Sequence, residues 1–180
     1  MDETELQSRA RVRQALARWR VRLGFVAAAV VVVLAHPTWR TWAVGLVVAL
    51  LGESLRFWAA GHLEKGREVT RSGPYRFVRH PLYIGSVVIA AGVALAAHSV
   101  IVGIVLALYV GATILAAVRT EEAQLRDAFG STYDEYRASR AVPMARGFSM
   151  NRALRNREQR AIAGLLAGFA LLALKVARGA

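Results

Sequence analysis

The chain has 180 residues, 56% of them hydrophobic, yet 24 Lys and Arg against 12 Asp and Glu give it a net charge of +12. So apolar and so basic a composition excludes an ordinary soluble domain unless the two properties are segregated along the chain, which is the pattern of an integral membrane protein. No cysteine is present, which excludes disulfides, thiolate metal sites, a cysteine nucleophile and S-palmitoylation.

The expected architecture is all-α, a polytopic membrane bundle of about five transmembrane helices in a single domain, 1–180. Residues 1–22 form a basic segment that ends in Arg20 and Arg22. Asp2, Glu3 and Glu5 in it argue against a cleaved signal peptide. Leu23 to Ala35 is short for a crossing, but Trp19 and Trp39 flank it as interfacial anchors. Thr41 to Leu63 follows as a second span, with Glu53 and Arg56 inside it. Leu82 to Val118 carries no Asp, Glu, Lys or Arg and is about twice the length that crosses a bilayer, so it reads as two spans divided by a turn near His98-Ser99. Residues 161–177 supply the last.

Twenty of the 24 cations fall in three blocks, Arg9 to Arg22, Lys65 to Arg79 and Arg119 to Arg160. With five spans all three reach one face, which the positive-inside rule makes cytoplasmic, N-terminus included. The charge is read as topology plus attraction to anionic inner-leaflet lipids, and not as nucleic-acid binding, because no basic stripe is interleaved with aromatics. Gly103, Ala107 and Gly111, and Gly164 with Gly168, recur every fourth position and predict close helix contacts.

Three polar constellations lie beside the spans. Glu53 and Arg56 are three apart on one helix face, either a self-neutralising pair or a functional one at membrane depth. In Ser72-Gly73-Pro74-Tyr75-Arg76-Phe77-Val78-Arg79-His80-Pro81-Leu82-Tyr83-Ile84-Gly85, Gly73-Pro74 marks a turn. Pro81 suits the first position of a helix, which puts Arg79 and His80 at a helix N-terminus that favours an anion. Arg119-Thr120-Glu121-Glu122 ends the fourth span, and Glu121, Leu125 and Phe129 share a face. Gly130 should end that helix, and Ser131 with Asp134 or Thr132 with Glu135 should start the next. The plain alternative for these acids is surface pairing with Arg119 and Arg126, Glu122 with Arg126 included. An anion site starting one helix and carboxylates ending the next would suit a ligand bearing a carboxylate, an ammonium and a sulfonium. His36, His62, His80 and His98 are too widely spaced for a di-iron site.

Ser72-Gly73-Pro74-Tyr75, Arg79-His80-Pro81-Leu82-Tyr83-Ile84-Gly85 and Glu121-Glu122 with Leu125, Phe129-Gly130, Tyr133 and Tyr136 resemble the isoprenylcysteine carboxyl methyltransferase and phospholipid methyltransferase family, over roughly Leu50 to Pro143. The resemblance implies a bacterial-type membrane enzyme that uses S-adenosylmethionine, leaving S-adenosylhomocysteine. It implies a cofactor-binding core over 64–143, with Val69, Thr70, Tyr75, His80, Pro81, Leu82, Tyr83 and Glu121 around the cofactor. Arg79, Arg119 and Glu122 would be the catalytic candidates, the arginines steering an anionic acceptor and Glu122 serving an amine. Arg119 departs from the family pattern, in which an arginine stands about one helical turn before the glutamate, at the place of Ala117. The implied partner is a membrane lipid or a lipidated small molecule or peptide. A phospholipid amine methyltransferase is the alternative, followed by a membrane reductase of related architecture and a non-catalytic scaffold.

Overall fold

The computed structural model describes residues 23–179 and is helical, with no strand among the described residues. The basic block Arg9 to Arg22 lies outside them. Seven α-helices follow in order: α1 (Leu23–Leu34), α2 (Trp39–Ala60), α3 (Pro81–Ala97), α4 (Val100–Phe129), α5 (Ser131–Arg137), α6 (Met150–Arg155) and α7 (Glu158–Ala177), with a 3-10 turn at Gly73–Arg76. Helices α2, α4 and α7 are long and apolar enough to cross a membrane, and α1 and α3 are shorter apolar helices. The chain is a membrane protein.

Local sequence accounts for the boundaries. Thr38 caps α2 through a reciprocal box with Thr41, so two of the donors that a helix start leaves unpaired are satisfied. Pro81 opens α3, where its missing N–H costs no helical bond. The expected turn is present: His98 is left-handed at φ 47° and Ser99 caps α4 through the amide of Val102. Gly130, with φ 47°, ends α4 and is itself the residue before α5, which has no side-chain cap. Neither Ser131 with Asp134 nor Thr132 with Glu135 forms a box, because α5 begins directly at Ser131 without an intervening extended residue.

The tightest packing joins α2 to α3. A Cβ at Gly92 would stand 2.6 Å from the carbonyl oxygen of Gly45, and one at Gly52 would stand 2.7 Å from that of Gly85. Such distances leave no room for any side chain, so these four glycines let two backbones touch. The expected small-residue contacts are a correction. A Cβ at Gly103, Gly111, Gly164 or Gly168 would meet nothing within 4 Å among the described residues. The working glycines are seven apart on each of two helices, a spacing that the four-residue pattern does not contain.

At the far end of the bundle Val31, Ala35, Ala49, Ala96, Ala97, Val102, Phe169 and Leu172 form the buried core. Trp42 donates its indole N–H to the carbonyl of Phe169 at 2.9 Å, and Lys175 reaches the last carbonyls of α1 at Val32 and Val33. At the near end two of the basic blocks interlock. Arg146 pairs with Glu68, Arg155 with Glu64, and Arg152 donates to the carbonyl of Gly61. The segment from 143 to 156 therefore straps the loop 61–76 across the ends of α2 and α3.

Candidate active site

His80 is the residue before α3, and its ring is brought against the polar end of α4. Its Nε2 lies 3.2 Å from Glu122 Oε1 and its Nδ1 lies 3.8 Å from Glu121 Oε2. Arg79 joins the same carboxylate, Nη1 to Glu122 Oε1 at 3.3 Å. Consecutive residues on a helix point about 100° apart, so Glu121 and Glu122 can take the two nitrogens of one imidazole between them. The ring of Tyr83 stands tilted beside that of His80, centroids 5.6 Å apart.

Surface pairing of Glu122 with Arg126 does not occur. Arg126 turns instead to Asp134, at 3.0 and 2.8 Å, because α5 folds back across Gly130 and offers a closer acid. That frees Glu122 for Arg79 and His80, 43 and 42 residues away in sequence. Arg119 is exposed and forms no ion pair or hydrogen bond with the described residues. Glu121, Leu125 and Phe129 are all half-buried along one face of α4.

The loop between α2 and α3 provides the other wall. Val69, Thr70, Ser72, Tyr75 and Pro81 are buried, and Leu82 and Tyr83 are half-buried. Thr70 accepts the amide of Glu64 at 3.2 Å, and His62 shares a hydrogen bond with Ser72 at 3.1 Å. Gly73 must be glycine twice over: its φ is +55°, and a Cβ would stand 2.5 Å from the His62 ring. Tyr136 on α5 donates to the carbonyl of Tyr75 at 2.9 Å. Burial, then the neighbouring Tyr133, pushes the Tyr136 hydroxyl up to about 12, so it is a dependable donor at neutral pH. Tyr75 is likewise pushed up, by burial first and then by Glu121, Tyr136, Glu158 and Tyr83.

The side chains gathered here have the chemistry to hold a group of mixed charge. Tyr133 is 1% exposed, and its buried hydroxyl faces the carboxylate of Glu122 without a well-aligned hydrogen bond. Burial, then Glu122, raises its pKa, which keeps the hydroxyl protonated beside that carboxylate. Beside it stand two carboxylates, a guanidinium, an imidazole and the start of α3, the donor and acceptor set for an amino-acid group carried next to a cation.

Two contributors were not anticipated from sequence. Tyr133 figured only as part of the resemblance, and its burial depends on α5 folding back. Glu158 is the sole acid after Glu135, set among arginines just ahead of an apolar run, and that isolation was its available signal. It is 3% exposed and stands 2.7 Å from Arg56. The Glu53 and Arg56 pair is present at 3.7 Å, but as part of this larger group.

The chain is 35% identical over 126 residues to the cobalt-zinc-cadmium resistance protein CzcN of Cupriavidus metallidurans, a stretch covering 65% of this chain and 57% of that protein. It is 31% identical over 133 residues to the nickel-cobalt-cadmium resistance protein NccN of Alcaligenes xylosoxydans xylosoxydans, covering 69% and 61%. The chain thus spans about three fifths of the length of these relatives. No solved structure matches it. Residues 19–132 match the family described as phospholipid methyltransferase, a stretch that holds Tyr75, Arg79, His80, Glu121 and Glu122 together. The chain belongs to the phospholipid methyltransferase family.

Proposed function

We propose that this protein transfers a methyl group from S-adenosylmethionine to an amphiphilic acceptor at the cytoplasmic face of an inner membrane. The observation that carries the reading is the imidazole of His80 lying 3.2 and 3.8 Å from two consecutive carboxylates of α4, beside the buried ring of Tyr133. A pair of acids gathered at a helix start, more than 40 residues away in sequence, is not what surface solvation alone would assemble.

When bound, the cofactor supplies a methyl group already activated on a sulfonium. The protein's work is orientation, exclusion of water and charge complementarity. Arg79 and His80 hold Glu122 in place, and Glu121, less tightly held, is free to accept from a cationic or hydroxyl group. Val69, Pro81 and Leu82 are the apolar walls that keep water out. The bond from Tyr136 to the Tyr75 carbonyl ties α5 over the loop, so the cleft is bounded on three sides by elements that are remote in sequence.

The acceptor is a membrane lipid or a lipidated small molecule or peptide that enters from the inner leaflet, where anionic lipids meet the basic loops. A prenylcysteine-like carboxylate and a lipid amine both suit the family motifs. Arg79 or Arg119 would steer the first; Glu121 or Glu122 would serve the second. The reading is tested by calorimetric titration of S-adenosylhomocysteine into the detergent-purified chain. Saturable binding is expected. Its absence in folded protein would remove the methyltransferase reading and leave a scaffold or a reductase, and binding of a nicotinamide cofactor in its place would select the reductase.

A further inference from the structure

Arg126 stands four residues after Glu122 on α4, the spacing and order in which a glutamate and a following cation pair most readily on a helix. It does not take that partner. Its Nε and Nη2 both donate to Asp134 Oδ1, at 3.0 and 2.8 Å. The turn that permits this is built into the chain: Gly130 has φ 47° and ψ −123°, a combination that a residue with a Cβ rarely adopts, and it folds α5 back until Asp134 faces Arg126.

Glu122 is the acid that Arg126 leaves alone. It already meets two cations, Arg79 at 3.3 Å and His80 at 3.2 Å, and the hydroxyl of Tyr133 faces it. Arg126 remains within electrostatic reach of that carboxylate, so a guanidinium deprived of Asp134 has Glu122 as its helical neighbour. Adjacent residues of α5 thus serve Glu122 in two ways, Tyr133 by standing beside it and Asp134 by occupying its competitor. The side chains of Arg126 and Asp134 are 52% and 51% exposed, and a pair so exposed does little for stability. Its consequence lies in which acid Arg126 uses.

We propose that Asp134 is a positioning residue for the candidate active site: it holds Arg126 away from Glu122, so that Glu122 stays with His80 and Arg79 and the start of α3 stays closed on the end of α4. The functional consequence, a change in cofactor affinity, rests on the reading of the protein as a methyltransferase; the arrangement of side chains does not. A staple and a decoy differ in what they predict for this pair. Were the pair only a staple of α5 on α4, losing either partner would act alike. Because Asp134 works by occupying Arg126, losing Asp134 releases a competitor and losing Arg126 removes it.

The test compares the full parent chain in maltoside micelles with Asp134→Asn, Arg126→Gln and the double variant. Calorimetric titration with S-adenosylhomocysteine should show Asp134→Asn weaker by about two- to fivefold, the scale of one exposed ion pair. Arg126→Gln should bind as the parent does, and the double variant should return to parent affinity. Asp134→Glu keeps the acid and should recover most of the loss. A second readout needs no cofactor: long-range 1H–15N correlation spectra of protein labelled with 15N-histidine report the ring nitrogens of His80, identified by their loss in His80→Gln. The Nε2 shift should move in Asp134→Asn and return to the parent position in the double variant. All the Asp134 and Arg126 variants should melt alike. Equal weakening in Asp134→Asn and Arg126→Gln overturns the proposal in favour of a staple. An unmoved His80 signal in Asp134→Asn overturns it too, as does a double variant no better than Asp134→Asn. The expected pattern of His80 shifts in a protein that binds no S-adenosylhomocysteine would keep the positioning role and remove the methyltransferase reading.

Discussion

The seam between α2 and α3 and the cleft between α3 and α4 share one helix, yet they are held by opposite means. In the seam, Gly45, Gly52, Gly85 and Gly92 let two backbones approach so closely that a single added carbon cannot be placed. In the cleft, α3 meets the polar end of α4 through His80, Arg79, Glu121 and Glu122 at 3.2 to 3.8 Å. Packing of the first kind is short-ranged and unforgiving. Charge pairing of the second kind tolerates small displacements and can be exchanged for contacts with a ligand. One helix thus carries a rigid face that fixes the fold and an adaptable end on which a ligand can act.

The sharpest way to break this comparison is Gly92→Leu. Backbone atoms of Gly45 and Ala49 block the new side chain, so the expected cost is about 3 kcal/mol or more, read as loss of the folded state in a denaturant titration in micelles. A helix that absorbed leucine without loss would show that the seam is not the rigid element.

Next in size are His80→Ala and Glu121→Ala. Each removes a charge-assisted contact in the cleft, so S-adenosylhomocysteine affinity should fall by ten- to a hundredfold, or about 1.5–3 kcal/mol, while melting changes little. Calorimetry beside melting curves separates the two. Glu53→Ala, in the group around Arg56, should leave cofactor affinity largely intact.

A smaller effect sharpens the loop side of the cleft. Burial, then Arg152 and Arg146, lowers the pKa of His62 below its ordinary 6.5. The unfolded chain then binds a proton that the folded chain resists. This contribution is present above about pH 6.5 and is lost as pH falls toward the lower folded value, by at most about 1.4 kcal/mol per pH unit. His62→Gln should flatten that limb of the pH–stability curve. The smallest effect is Gly164→Leu, within about 0.5 kcal/mol, because its Cβ would meet nothing within 4 Å. A large loss there would mean that α7 packs against something beyond the described residues.

Several features were legible because they depend on near neighbours. Proline at the first position of a helix, the turn at His98-Ser99 and Gly130 ending α4 are decided within four residues, and the sequence carries them openly. Apolar length marks α2, α4 and α7 for the same reason, since crossing a bilayer depends on a continuous run. The motif that holds Tyr75 and His80 and the paired glutamates announced a cleft without showing which acid faces which nitrogen.

What the sequence determined by itself was the class of protein, the apolar helices and some of their ends, and the residues from which a site would be made, all consequences of composition and local spacing. Tertiary structure decided the partners. Glu122 went to His80 and Arg79 because α5 brought Asp134 to Arg126. Close packing fell to the glycines spaced by seven because α2 and α3 are the pair that touch, and Glu158 entered the Glu53 and Arg56 centre because α7 begins against α2. Electrostatic and packing partners are chosen by distance in space, and residues 40 to 100 positions apart acquire a distance only when the chain has folded.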